Sequence, residues 1–430
     1  MDFIKQPLGR AILLGAVLCL PSLGRSAQEP GVSSSSPGVT LQECFARAKQ
    51  ISETVGISAE NTRLVQAQYR GQIGDILPHL HWIKEQFYQD AGGTAGGGSP
   101  LQTQPLSYFE ATQPIFGGFR DWAAIGITKS MAEQAKWDER STDLQLLSDV
   151  AAVFYAAYTL QDNTTLLEET RKLNKDQVDQ LTHWVDIGRS RPSEVLSAQT
   201  QQASLEAQLA ENNRKLTEAR HLLTFLTGVP TNVPLKDDLG ALSVLSIDDA
   251  LGRAGKRPDI MSTAERLHQA ELGIKYARGG HYPTLGASGR YYTERVGFLT
   301  DVRWDATITL DMPLYEGGST QAGVRAARSR EIIAQLTLAR LKREVERQVR
   351  TAHDNLAQSA AEVKAYDKAV ELALKNYDTQ KKEYRLGIIN NLELLLLLAN
   401  TQEIRRQWLL SKANARYNDI QLRVAMGEGL

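Results

Sequence analysis

Along this chain two very long stretches keep a helical pattern of apolar and polar positions without interruption. Beyond Gly118, and again beyond Gly318, nothing breaks it until Gly188 and Gly387, about 69 residues later. At 1.5 Å per residue that predicts rods of roughly 100 Å. From Gly188 to Gly228, and from Gly387 to Gly427, two further runs of helical pattern follow. Ahead of each rod the period shortens to two. Trp304, Ala306, Ile308, Leu310 and Met312 alternate with Arg303, Asp305, Thr307, Thr309 and Asp311, the pattern of a strand with one apolar and one polar face, as in a barrel wall between lipid and water. Thr284–Val296 is its expected hairpin partner, across a turn near Gly297 to Thr300. Earlier in the chain, strands are expected over about 79–90 and 105–115, separated by the Gly-rich Ala91–Ser99. A helical stretch precedes each pair of strands, over about 41–76 and 247–279, and ends at a proline.

The chain is therefore one plan written twice. Leu41 onward ("LQECFARAK") pairs with Ile247 onward ("IDDALGRAG"), and Pro78 with Pro283, Pro114 with Pro313, Gly188 with Gly387 and Gly228 with Gly427 keep nearly the same offset. Such internal repetition sets the architecture. The first repeat spans 41–246, with a strand hairpin at 79–115, a long helical hairpin at 119–228 and a linker. The second spans 247–430, with its hairpins at 284–314 and 318–427. A short phrase recurs at each change from strand to helix, "PIFGGF" with Pro114, Gly117 and Gly118, and "PLYEGGS" with Pro313, Gly317 and Gly318. In this reading proline closes the strand, apolar and aromatic residues sit at a membrane boundary, and the glycines allow the turn into helix. The first copy has one residue fewer before its glycines.

The N-terminus changes the compartment. Lys5 and Arg10 precede the apolar Ala11–Leu20 and the small residues of "SLGRSA", so 1–27 reads as a secretory signal peptide. Residues 28–40 form a Ser, Pro and Gly-rich leader. Cys19 follows Leu18, which is not the small residue that a lipidation signal places there. Across all 430 residues, 49 basic side chains face 50 acidic ones. The signal carries three of the bases and one of the acids, so the mature chain is near −3, with no basic excess for nucleic acid. Apolar residues make up 42% of the chain, too many for disorder. Past the signal no apolar run reaches the length of about 18 residues needed to span a bilayer as a helix, so any crossing must be made by a closed barrel. Only Cys44 remains after cleavage, which excludes an internal disulfide; its partner position in the second copy is Ala250, and a small buried site accounts for it.

Chemistry is sparse. No Ser/His/Asp grouping and no nucleophile elbow occurs, and the carboxylates are spread along helices as solvated faces. Ala91–Ser99 lacks the Lys-Ser/Thr and the following helix of a phosphate loop. His79 and His81 form an H-x-H on one side of a strand, readable either as a metal ligand pair or as polar residues at an interface. "LELLLLLAN" from Leu392 is too short to span a membrane and reads as a helix segment packed on both flanks.

The order helix, strand hairpin, "PIFGGF" or "PLYEGGST", long helix, Gly turn, long helix resembles the TolC-type outer-membrane efflux family over about 41–428. Lys256–Leu285 ("KRPDIMSTAERLHQAELGIKYARGGHYPTL") is similar to the Arg-Pro-Asp opening of that family's second repeat. The chain stops soon after Gly427, without the long tail of some members. The resemblance implies a mixed α/β fold of long antiparallel helices forming a tunnel, plus a β-barrel completed by a homotrimer with four strands from each subunit. It also implies the outer membrane, with the tunnel in the periplasm. The expected function is a passive, non-enzymatic and cofactor-free exit duct of a tripartite efflux or type I secretion system, working with a periplasmic adaptor and an inner-membrane RND, ABC or MFS transporter. Trp304, Ala306, Ile308 and Leu310 would face lipid. Gly188 and Gly387 would mark the tips that dock the adaptor. Glu194 and Glu393, each six residues past its tip glycine, match the family's acidic periplasmic entrance; the alternative is that both are exposed acids beside a turn. Where the family's second repeat carries another acid, this chain has Leu396. Arg189, Arg191 and Arg385 lie near enough in sequence to pair with the two glutamates as a latch. A periplasmic coiled-coil adaptor is the rival reading, but that class has one helical hairpin and usually a lipoyl-like β domain, whereas this chain has two hairpins and amphipathic strands.

Overall fold

The computed structural model describes residues 38–88, 103–240, 242, 244–296 and 299–430. The expected signal, most of the leader and the Gly-rich Ala91–Ser99 lie outside the described residues. The elements run α1 (Leu41–Ile51), α2 (Glu53–Gly74), β1 (His79–Tyr88), β2 (Thr103–Gly117), α3 (Arg120–Asp186), α4 (Pro192–Thr227), α5 (Ile247–Ala254), α6 (Pro258–Arg278), β3 (Thr284–Arg295), β4 (Trp304–Asp311), α7 (Ser319–Arg385) and α8 (Asn391–Met426).

Helices α3 and α7 are each 67 residues long and α4 and α8 each 36, so the long pair are rods of roughly 100 Å. The expected helices over 41–76 and 247–279 are each broken in two. Ser52 ends α1 with extended backbone and caps α2 by accepting a hydrogen bond from Val55 N. In the second copy Pro258 occupies the first turn of α6, where its missing N–H costs nothing. Apolar periodicity continues across both breaks, which is why it did not reveal them.

The four strands form one antiparallel sheet in the order β1-β2-β3-β4. Proline does not close the strand in the first copy. β2 continues past Pro114 to Gly117, with a register irregularity between Pro114 and Phe116. A central strand tolerates a residue without an N–H only at such a bulge. In the second copy β4 stops at Asp311, before Pro313.

The junctions also correct the apparent one-residue deficit. α3 and α7 begin 199 residues apart, the spacing of Pro114 and Pro313, so Phe119 corresponds to Gly318 and Gly118 to Gly317. Each junction has two consecutive residues with positive φ: Gly118 (66°) and Phe119 (64°), and Gly317 (63°) and Gly318 (85°). A Cβ on Gly118 would lie 2.6 Å from the carbonyl oxygen of Gly279. Phe119 holds a conformation that costs an L-residue about 1–2 kcal/mol. Its ring is held edge-on by Phe116 (4.9 Å) and Tyr282 (5.5 Å).

The main cores lie where the short helices pack against the rods. Leu41, Cys44 and Ala48 of α1 meet Leu147, Val150 and Phe154 of α3 together with Ile420 of α8. Ala250 and Ala254 of α5 meet Val345, Val349 and Leu356 of α7 and Leu422 of α8. Cys44 is fully buried, and burial pushes its thiol up to about 12, so it is inert packing. No described helix is long and apolar enough to cross a membrane.

Candidate functional site

The sheet's strand register sorts its side chains into two different faces. On one, Trp82, Phe109, Tyr291 and Trp304 are consecutive cross-strand partners, an aromatic row through all four strands. All four are exposed, Trp82 by 60% and Trp304 by 68%. The same face carries the row Leu80, Ala111, Gly289 and Ala306, then Ile308 and Leu310 further down β4. Ile308 and Leu310 are 75% and 67% exposed. Beyond the strand ends Met312, Leu314, Tyr315 and Trp122 are exposed as well.

The opposite face is polar. Its corresponding row is His81, Glu110, Arg290 and Asp305. Arg290 Nε donates to Glu110 Oε1 at 2.8 Å, and Tyr292 Oη donates to Asp305 Oδ2 at 2.6 Å. The guanidinium of Arg290 stands 5.6 Å over the Tyr108 ring. Neither row was read from the sequence. β1 and β2 alternate too irregularly to show it, and a row exists only once the register between strands is known.

The second candidate region is at the far ends of the rods. α3 ends at Asp186, and Gly188 (φ 72°) turns the chain toward α4; α7 ends at Arg385, and Gly387 (φ 76°) turns it toward α8. At both, the space a Cβ would enter is open. Glu194 and Glu393 are each the third residue of the helix after the turn. Glu393 completes a capping box: its N–H donates to Asn390 Oδ1 at 2.9 Å and its Oε2 accepts from Asn390 N at 3.3 Å. Glu194 Oε2 accepts from Ser190 Oγ at 2.9 Å. Carboxylates in a first helical turn are favoured by the exposed N–H groups there, so both acids have a structural role in addition to any at an entrance. Among the described residues no ion pair joins either acid to Arg189, Arg191 or Arg385. Arg189 lies instead 6.0 Å over the Trp184 ring.

Behind the acids is a network that the sequence did not disclose. Gln177 Nε2 donates to Asn391 Oδ1 at 2.9 Å, and Asn391 Nδ2 to the Glu194 carbonyl at 3.4 Å. Trp184 and Tyr384 rings lie 5.6 Å apart. Burial first, then the Glu194 carboxylate, push the Tyr384 phenol up to about 12. Within one chain Leu394, Leu395 and Leu398 of the leucine run are buried, whereas Leu392 and Leu396 are exposed, as are Leu386, Ile388, Ile187 and Leu196 around the two turns.

Known proteins match both repeats. The family model described as "Outer membrane efflux protein" fits residues 89–229 and 248–428. The chain is 22% identical to the probable efflux pump outer membrane protein TtgC of Pseudomonas putida, over 90% of this chain and 83% of that one. It is also 22% identical to the outer membrane protein TolC of Escherichia coli, over 90% and 81%. The crystal structure of the outer membrane protein VceC from Vibrio cholerae superposes with a TM-score of 0.77 at 17% identity, covering 90% of this chain and 96% of that one.

Proposed function

Because the chain belongs to the outer membrane efflux protein family, we propose that it is the exit duct of a tripartite efflux or type I secretion system. Substrates pass through it passively once a periplasmic adaptor and an inner-membrane RND, ABC or MFS transporter have engaged it. Members of the family are outer-membrane channels rather than enzymes, and no cofactor enters this reading.

One observation carries the proposal: a four-stranded sheet with an aromatic, apolar face and a charged face, set at one end of rods roughly 100 Å long. Among the described residues both edges of that sheet, β1 and β4, are unpaired. In lipid each unsatisfied backbone group costs several kcal/mol, so the edges must be closed by further copies of the chain. Three copies make a twelve-stranded barrel with the aromatic face to lipid and the charged face to the lumen. Trp304, Ala306, Ile308 and Leu310 are then lipid contacts. Exposed Ile332, Ile333 and Leu336 on α7 and Ile57 and Leu64 on α2 are apolar surfaces for neighbouring helices in the tunnel wall.

The turns at Gly188 and Gly387 form the periplasmic end, and the apolar side chains around them offer the adaptor a contact surface. Three subunits bring the six carboxylates of Glu194 and Glu393 to one mouth, where like charges repel each other and attract cations.

Outer-membrane fractionation and chemical crosslinking, followed by planar-bilayer conductance, test the proposal. Crosslinked trimer and cation-selective pores are expected. Glu194→Ala with Glu393→Ala is expected to reduce that selectivity and the block by trivalent cations. A soluble periplasmic monomer without conductance overturns the duct. Unchanged selectivity and block in the double variant overturn the acidic entrance and leave the two glutamates as helix caps.

A further inference from the structure

His79 and His81 take no part in the duct as described. We propose that each seam of the closed barrel carries a divalent transition-metal site on its lumen side, built from His79 and His81 of one subunit and Asp311 of the partner subunit. The site rests on the trimeric barrel proposed above.

The two histidines stand two residues apart on β1, so they share a face, the one that carries Glu110, Arg290 and Asp305. Their rings are stacked, 14° from parallel with centroids 6.4 Å apart. Both are exposed, and among the described residues neither side chain makes a hydrogen bond or an ion pair. Imidazole nitrogens suit zinc, copper and nickel. With metal–nitrogen distances of about 2.0–2.1 Å, two rings on one tetrahedral ion have centroids roughly 5 Å apart, so small side-chain rotations close the pair. Two nitrogens do not complete a site. Among the described residues no group of three ligating side chains occurs within one chain, so further ligands must cross the seam.

Strand register supplies one. The alternating antiparallel order of the sheet sets β4 of one subunit antiparallel to β1 of the next. β4 has eight residues and β1 ten. β4 is therefore paired along its whole length only where its last residue, Asp311, lies opposite His79, Leu80 or His81. Leu80 is on the aromatic face, and pairing Asp311 with it would turn every polar side chain of β4 toward lipid. In both remaining registers Asp311 stands directly across from one histidine and diagonal to the other, at Cβ separations of about 5 and 7–8 Å. Asp311 is exposed and its side chain has no hydrogen bond or ion pair among the described residues. The site lies at the lower rim of the barrel, where the strands give way to the rods.

Full-length trimer stripped with chelator and titrated with zinc chloride tests the site, with bound metal counted by native mass spectrometry. About three zinc ions per trimer are expected. His79→Asn, His81→Asn and Asp311→Asn should each weaken zinc binding by tenfold or more. Zinc should also slow dissociation of wild-type trimer in dodecyl sulfate and have no such effect on the variants. An unchanged zinc count in the double His79→Asn, His81→Asn variant overturns the proposal, because the ions then sit elsewhere. Unchanged affinity in Asp311→Asn, with loss in the histidine variants, overturns the seam and leaves a chelate within one strand. A zinc-free wild type that is intact trimer but takes up no metal overturns the site alone, whereas a wild type that forms no trimer overturns the barrel.

Discussion

Phe119 adopts the backbone conformation that Gly318 adopts in the other repeat, and it does so with a side chain. Substituting it separates strain from packing. Phe119→Ala loses the aromatic contacts and keeps the strain; Phe119→Gly loses the same contacts and releases about 1–2 kcal/mol of it. The glycine variant should therefore have the higher apparent melting temperature in detergent, and the reverse order would show that the backbone relaxes once the ring is lost, so that the ring contacts impose the conformation. At the tip, Tyr384 is raised above the ordinary phenol value of 10 to about 12 by burial and by Glu194. The folded state thus favours the neutral phenol, and the stability this brings is complete below pH 10 and is lost as pH climbs through about 12. Glu194→Gln should lower the midpoint, read as phenolate absorbance of each protein minus its Tyr384→Phe variant; no movement would leave burial as the only cause. Little at this scale was legible in advance. The two glycine pairs align by letter, and only the helix starts reveal that Phe119 stands where a glycine does. Glu194 and Glu393 were visible by position, but their capping partners depend on turn geometry.

Among the elements, β4 was the most legible, because its alternation is unbroken from Trp304 to Asp311. β2 was less so, because Pro114 reads as a stop and the structure absorbs it in a bulge. The same alternation makes the proposed lipid face testable. Ile308→Arg should cost roughly 2–4 kcal/mol and deplete assembled trimer, while Thr307→Arg, on the lumen side, should be tolerated. Quantifying heat-resistant trimer from outer membranes distinguishes them, and equal tolerance would contradict the assignment of faces. The long helices were legible in type and length, since a pattern without breaks between glycines leaves little choice. The division at Ser52 was not, because a cap changes backbone direction without disturbing the apolar spacing, while the one at Pro258 was marked by Gly255 and Pro258 but passed over in favour of the continuing apolar period.

At the scale of the whole molecule, duplication was plain in the sequence and the trimer was expected from the family resemblance, while the register of the strands between subunits was hidden, since one chain records only its own half of a seam. The tips are where such dependence can be measured. A bulky residue at Gly387 would be strained by its φ of 76° but would enter open space, so Gly387→Val should leave trimer intact on crosslinking and abolish efflux in cells. Loss of trimer instead would make the turn a folding element. The equal lengths of α3 and α7, and of α4 and α8, also constrain how such a chain can evolve. A single inserted residue turns everything beyond it by about 100° around the helix axis and moves buried positions outward. An insertion of two whole turns restores the faces but leaves one hairpin longer than its companion. Length in this architecture is thus heritable only in matched steps, taken together in both arms of both repeats.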